Sequence, residues 1–307
     1  MDGLADLTAF LMVARAGGFR SAANAAGTSA SRMSDGVRRL EARLGVRLLH
    51  RTTRSVTPTD AGARLLERIT PALGEVRAAL DGVNDFRDRP AGRLKLNVPT
   101  VAAKLVLPKI LPPFLAKYPE ITVEVVADER RVDVVAEGFD AGIRYGESLE
   151  RDMVAVPIGP RIQRYAAAAS PAYLARRGKP VHPRELLEHD CLGWRFSNGP
   201  VSPWKFERNG AVVEVTPKGP LVSGFGGATD LAVEAAVAGC GVIYLYEEWL
   251  RPFLDGGALA PVLQPWWLSF SGPFLYYPGR RYLPTPLRAF RDFLRATTPH
   301  QRGRTPR

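Results

Sequence analysis

Apolar residues recur at helical spacing through roughly the first eighty positions, and alternation takes over beyond position 90. Leu4, Leu7, Leu11 and Ala14 mark a first helix, ended by Gly17-Gly18. The stretch from Phe19 to Glu41, FRSAANAAGTSASRMSDGVRRLE, then has the pattern of helix, tight turn, helix. Ala22, Ala23, Ala25 and Ala26 fill its first segment, Gly27 can turn the chain, and Ser29 is suited to cap the second segment. Met33, Val37, Leu40 and Leu44 predict one buried stripe of an amphipathic second helix. The other face carries Ser31, Arg32, Ser34, Asp35, Arg38 and Arg39, short hydroxyls and guanidiniums that reach base edges and phosphates when a helix lies in the major groove.

After Gly45, the run VRLLHRTTRSVTPT predicts a short two-stranded wing whose polar tip spans Arg51, Thr52 and Arg54. Such a tip sits on the phosphate backbone or dips into the minor groove. Pro58-Thr59-Asp60 reads as a helix start. Beyond it Leu65, Ile69, Leu73, Val76, Leu80 and Val83 form a near-heptad seam interrupted by Pro71. That seam predicts a dimerisation helix, and packing on its own chain is the competing reading. A polar Pro/Gly break at 88–92 separates this part from the rest.

Leu94, Leu96 and Val98 alternate as a strand, and Pro99-Thr100 opens a helix expected to run to Lys117. Strands are expected at 121–126, 141–144, 165–169 and 242–245, with helices at 132–136, 171–175 and 229–238. Strand–helix alternation of this kind indicates parallel α/β units.

Charge sharpens the picture. The 307 residues carry a net charge of +11. Eight arginines and no lysine lie between Arg20 and Arg54, against Asp35 and Glu41. Arginine without lysine suits phosphate and base recognition better than it suits solubility alone. A second basic stretch closes the chain, and residues 297–307 are expected to be a disordered tail. The two cysteines, Cys191 and Cys240, form neither a disulfide framework nor a metal spacing. Cys240, between two glycines, reads as a small buried filler rather than a nucleophile. No signal peptide or transmembrane run is visible, so a cytoplasmic location is expected.

The opening DLTAFLMVARAGGF, the AAxxAGTS turn, the SxxxLE end of the second helix and the run LGVRLLHRTTRSVTPTDAG together resemble the DNA-binding domain of LysR-type transcriptional regulators. The resemblance covers residues 2–60 in detail and the whole chain in layout. It implies a fold that is α/β overall: an N-terminal all-α winged helix-turn-helix (1–59), a long linker helix (60–88), and a C-terminal two-lobed α/β effector domain of periplasmic-binding-protein-like form (91–307). Lobe I would take about 91–160 and 268–296, and lobe II about 161–267. The family often has Gln-Pro-Ala where this chain has Ala30-Ser31-Arg32, and a basic residue or His in place of Asp35. An acid at 35 would repel phosphate or accept from a cytosine amine. The expected DNA-facing set is Ser29, Ser31, Arg32, Ser34, Asp35, Arg38, Arg51, Thr52 and Arg54. Partners implied are promoter duplex DNA, a small-molecule effector, a homodimer or homotetramer, and RNA polymerase.

In open α/β sheets ligands bind beyond the carboxyl ends of strands. That rule selects Thr100 and Val101, Asp128, Arg144 and Tyr145, and in the second lobe Phe225, Gly226 and Gly227, where the family's cleft also lies. Thr100, Arg144 and open backbone N–H groups would suit a small carboxylate or an aromatic acid. Tyr244 and Tyr246 could line the cleft, and Trp194, Trp204, Trp266 and Trp267 read as packing residues. No nucleotide loop, nucleophile elbow or metalloprotease motif is present, so neither catalysis nor a cofactor or metal is expected. Two other readings stand beside a regulator. One is a small-molecule-binding or catalytic α/β protein whose N-terminal helices only oligomerise. The other is a regulator whose cleft is packed shut by Phe225 and Tyr145.

Overall fold

A computed structural model describes residues 2–52, 55–82, 89–130, 134, 137–146, 153–196, 199–279 and 283–297. The chain divides into two compact units, residues 1–88 with 132–140 and 280–285, and residues 89–131 with 141–279 and 286–307.

The first unit opens with α1 (Asp2–Ala16), α2 (Phe19–Ala26) and α3 (Ala30–Leu44). Gly27 ends α2 in the left-handed region at φ 62°, where a side chain would be strained, and this lets α3 start at once. Ser29 caps α3 by accepting the Arg32 backbone N–H. Phe10, Val13, Ala22, Ala23, Met33, Val37 and Leu40 close one core, each large side chain contributing about 1.5–3 kcal/mol by leaving water. Two ends of the expected stripes lie outside it. Leu4 and Leu44 are exposed, because each falls at a helix end beyond the three-helix contact. Ala25 and Ala26 are exposed for the same reason.

The wing is real: β1 (Leu49–Arg51) pairs antiparallel with β2 (Val56–Pro58). Arg51 therefore sits in a strand rather than at the tip. Thr52 makes the turn, exchanging hydrogen bonds with Ser55. Helix α4 (Asp60–Gly82) comes next, its Gly62 N–H bonded to the Thr59 hydroxyl, and it continues through Pro71. A Cβ on Gly62 would stand 2.1 Å from the Leu48 carbonyl oxygen, so glycine is what lets α4 lie against the wing. Leu65 and Ile69 pack on the three-helix core, whereas Val76 is exposed. The near-heptad seam thus splits, its first half serving its own chain. The side chain of Leu80 and all of Val83 lie outside the described residues.

The second unit holds two sheets. In the first, β3 (Gly92–Val98) lies between β4 (Ile121–Ala127) and β5 (Ala141–Arg144), and β15 (Phe274–Pro278) and β6 (Met153–Pro157) complete the order β4-β3-β5-β15-β6. Paired in parallel on both edges, β3 buries Leu94, Leu96, Asn97 and Val98, as a central parallel strand must. The expected helix from Thr100 to Lys117 is two: α5 (Thr100–Leu105) and α6 (Leu107–Lys117), broken at Val106 ahead of Pro108. Phe114 of α6 meets Phe290 of α10 (Thr285–Thr297) edge-on at 5.0 Å.

The second sheet has the order β11-β8-β12-β7-β13 for β11 (Val222–Gly224), β8 (Cys191–Arg195), β12 (Val242–Tyr246), β7 (Ile162–Ala169) and β13 (Ala260–Val262). A short strand, β14 (Ser269–Ser271), also pairs with β7. Side chains alternate across this sheet. Ala166, Ala168, Ile243 and Leu245 join one core cluster, with α8 (Thr229–Val237) and α9 (Glu247–Asp255) against it; Ala167, Ala169, Val242 and Tyr244 join the other. The chain leaves the first sheet after β6 and returns through β14 and β15.

Strand–helix alternation predicts parallel sheets, and both sheets are mixed. β15 runs antiparallel to β5 and β6, and β7 runs antiparallel to β12, β13 and β14. Parallel neighbours need a long crossover over their own sheet, but β7 and β15 are entered from the other sheet. The hairpin of β9 (Trp204–Arg208) and β10 (Ala211–Val215) adds to the expected elements. Its Asn209-Gly210 turn has φ 53° and 79°, the Asn-Gly signature of a two-residue hairpin. Cys191 is the buried cysteine, its thiol pushed up to about 12 by desolvation, and Cys240 is exposed, the reverse of the expectation. The expected helix at 132–136 and the tail beyond 297 fall on residues outside those described, Val134 excepted.

Candidate functional site

Two sets of side chains are candidates. On α3, the core-facing positions alternate with an outer row in which Ser31, Arg32, Asp35 and Arg38 are exposed and Ser34 is half-buried. Ser29 Oγ lies 3.0 Å from Ser31 Oγ, so the cap residue and the first outward hydroxyl are linked. Arg38 and Asp35 approach to 3.5 Å on the open surface. Arg39, expected on the same face, instead reaches back to α1 and bonds the buried Asp6 carboxylate at 2.7 Å.

Glu41 organises the wing. One of its carboxylate oxygens accepts the Leu48 and Leu49 backbone N–H groups at 2.9 and 3.2 Å, and the other takes Arg51 at 2.8 Å. The Arg51 guanidinium also lies over the Phe19 ring, 5.1 Å from its centroid. In the sequence Glu41 stands out only as the end of a motif. Arg54 lies outside the described residues.

In the second unit, five of the eight expected effector residues converge: Thr100, Val101, Tyr145, Phe225 and Gly226. Val101 and Phe225 share one core cluster, with Tyr145 packed against it. A Cβ on Gly226 would stand 3.0 Å from Thr100 Oγ1 and 3.2 Å from Glu129 Oε1. The other three are not among these contacts. Asp128 closes on Arg130, whose guanidinium and backbone N–H hold its carboxyl below the usual range. Arg144 bonds the Asn97 side chain and the Ile143 carbonyl oxygen. Gly227 is exposed with open space beside it. The Thr100 backbone N–H, expected to meet an anion, donates to Glu129 at 2.8 Å.

Of the two tyrosines that could line the cleft one does, and residues that the sequence pattern does not single out join it. Tyr246, last in β12, is 5.7 Å from the Tyr145 ring and 4.7 Å from Tyr165, whereas Tyr244 faces the other side and stacks on Trp204 at 5.3 Å. Burial raises the pKa of Tyr145, Tyr165 and Tyr246. Gln163, at the start of β7, is buried. Lys104 bonds Asp230 and lies 4.3 Å over the Trp249 ring, and its charge holds Asp230 below the usual carboxylate range. Glu129 is the neighbour of Asp128, which the strand-end rule selects, whereas Glu248 follows the end of β12, where that rule selects no residue. The four tryptophans read as packing residues do pack: Trp204 is fully buried, and the Trp194 and Trp267 indoles donate to carbonyl oxygens. Trp266 lies edge-on to His182.

A helical head with an outward polar row, followed by a two-sheet domain with aromatic and polar groups gathered between the sheets, defines an effector-responsive DNA-binding regulator. Residues 4–63 match the family model of the bacterial regulatory helix-turn-helix protein, lysR family, and residues 87–299 match the LysR substrate binding domain. The chain belongs to the LysR family of transcriptional regulators. It is 41% identical to the HTH-type transcriptional regulator YcaN of Escherichia coli K12, over 95% of this chain and 94% of that one. It is 36% identical to the regulator PgrR of the same organism, over 96% and 97%. Among solved structures, the full-length Vibrio cholerae virulence activator AphB superposes with a TM-score of 0.65 at 25% identity, covering 95% of this chain and 98% of that one. These likenesses disfavour the reading in which the N-terminal helices only oligomerise. Among the described residues no helix is long and apolar enough to cross a membrane.

Proposed function

We propose that this regulator acts in the cytoplasm as a homodimer or homotetramer on partly palindromic promoter DNA, with α3 in the major groove. Ser31, Arg32 and Ser34 meet base edges, and Arg38, Arg51 and Arg54 meet phosphates. Ser29 serves through its cap, which fixes where the helix begins. Thr52 shapes the wing turn, and Asp35 biases the base opposite it or repels phosphate. The observation that supports this most is the division of α3, with Met33, Val37 and Leu40 buried and Ser31, Arg32 and Arg38 exposed.

The effector belongs between the two sheets of the second unit, against Thr100, Val101, Tyr145, Phe225 and Gly226. It acts by binding one arrangement of the sheets more tightly than another, since equal affinity for both would shift nothing. RNA polymerase is the further partner of this reading. None of it requires catalysis.

The test is a titration of the full chain with its own upstream DNA beside a scrambled duplex, at several salt concentrations. Binding that prefers the upstream DNA and weakens steeply with salt is expected. Arg32→Ala relaxes the base preference, and Arg51→Ala weakens both duplexes alike and flattens the salt slope. Equal weak binding to both duplexes by the unaltered protein refutes the reading.

A further inference from the structure

Thr100 and Arg144 point to an anion between the sheets, yet the cationic side chains and the backbone N–H that would hold one are engaged. The Thr100 N–H donates to Glu129, Arg144 bonds Asn97 and the Ile143 carbonyl, Lys104 bonds Asp230, and Arg164 bonds Glu247 at 2.7 Å. Three polar side chains beside them have buried atoms without a hydrogen-bond partner. They are the Tyr145 hydroxyl, both amide atoms of Gln163, and Glu248 Oε2. Gln163 is only 4% exposed. They lie together: the Tyr145 hydroxyl is directed at the Gln163 amide without closing a hydrogen bond of good geometry, and it feels the charges of Glu248 and Glu129. Aromatic rings surround them, with Tyr145, Tyr165 and Phe270 each within 5.7 Å of the Tyr246 ring or one another.

Buried polar atoms left unpaired are costly, and the one charged group among them, the Glu248 carboxylate, accepts hydrogen bonds without donating any, as does the Gln163 amide oxygen, while the amide nitrogen is left for a neutral acceptor. Ring faces attract cations and do not attract carboxylates. We propose that the effector of this protein is an organic cation, an ammonium or guanidinium on a small apolar or aromatic body, with its charged donors directed at Glu248, Glu129 and the Gln163 amide oxygen and its body against Tyr145, Tyr165 and Tyr246. The proposal rests on the reading that this place is the effector site, and it reverses the sign of charge expected from Thr100 and Arg144.

The experiment is isothermal titration of the full chain with tyramine and with 3-(4-hydroxyphenyl)propionate, which share a ring and chain and differ in the sign of charge. Agmatine is the guanidinium probe. At least one of the two cations is expected to bind at millimolar concentration or below, and the acid at least about tenfold more weakly. Glu248→Gln, which keeps the shape and removes the charge, should weaken the bound cation by about tenfold or more. Preference for the acid overturns the proposal, as does an unchanged cation affinity in Glu248→Gln or silence from both cations. If Glu248→Gln fails to fold, the comparison of amine with acid on the unaltered protein decides alone. The DNA titration is run separately without ligand. A protein that binds a cation but not its upstream DNA keeps this proposal and loses the regulator reading, and the opposite pair of results does the reverse.

Discussion

The outer row of α3 and the place between the two sheets handle charged side chains in opposite ways. On α3, Arg38 and Asp35 keep 71% and 52% of their side chains in solvent, and their pairing adds little to stability. Between the sheets, Glu248 and Gln163 have buried atoms, and the neighbouring phenols are pushed up by desolvation. The first surface can be screened by salt and substituted freely without harming the fold, so its residues are open to a partner outside the chain. In the second, each polar group must find a partner within the protein or in a ligand, so its residues answer to one another.

The wing is where this contrast can be broken most sharply, because Glu41 is a half-buried organiser beside an exposed face. Glu41→Ala should cost the first unit about 2–4 kcal/mol, since it strands the Leu48 and Leu49 N–H groups and releases Arg51. Urea unfolding checks it, and a loss below about 1 kcal/mol would mean that the wing does not depend on this carboxylate. Next in size is Gly226→Ala. Its Cβ meets Thr100 and Glu129 and its φ of 101° strains any side chain, so a loss of about 1–3 kcal/mol is expected in thermal melts of the full chain.

On α3 the expected effect on folding nearly vanishes. Asp35→Asn and Arg38→Ala should each leave stability within about 0.5 kcal/mol. Their effect belongs to DNA: Asp35→Asn tightens binding at low salt, and Arg38→Ala lowers the salt slope by about one. A large stability change in either variant would show that this row is structural after all.

The smallest effect concerns His189, whose Nδ1 lies 3.1 Å from the Tyr173 hydroxyl. Burial, with Arg177 nearby, lowers its pKa below the usual 6.5. The folded state therefore binds fewer protons than the unfolded chain. Stability is full above about pH 6.5 and declines as pH falls from there towards the folded pKa. Urea midpoints taken between pH 8 and pH 5 should show this decline, and His189→Gln should flatten it.

The difference between the regions also governs what is legible in the chain before it folds. The row on α3 comes from one continuous helix, so spacing alone separates Met33, Val37 and Leu40 from Ser31, Arg32 and Arg38. The place between the sheets draws on Thr100, Glu129, Tyr145, Gln163, Phe225 and Glu248, each from a different segment. The strand-end rule finds Thr100, Tyr145 and Phe225 but takes Asp128 for its neighbour Glu129. It has no means of finding Gln163, which stands at the beginning of a strand.

Local pattern is enough for the helix-turn-helix, the wing, the family and five strands of the second unit (β3, β4, β5, β7 and β12), because helical periodicity, caps such as Ser29 and breaks such as Gly27 and Gly45 act over a few residues. The antiparallel entry of β7 and β15, the capture of Arg39 by Asp6, and the use of the Thr100 N–H and Arg144 on the protein's own acceptors arise only in the folded chain. Each of those depends on which distant segment arrives beside a charged or polar group, and local pattern carries no record of that.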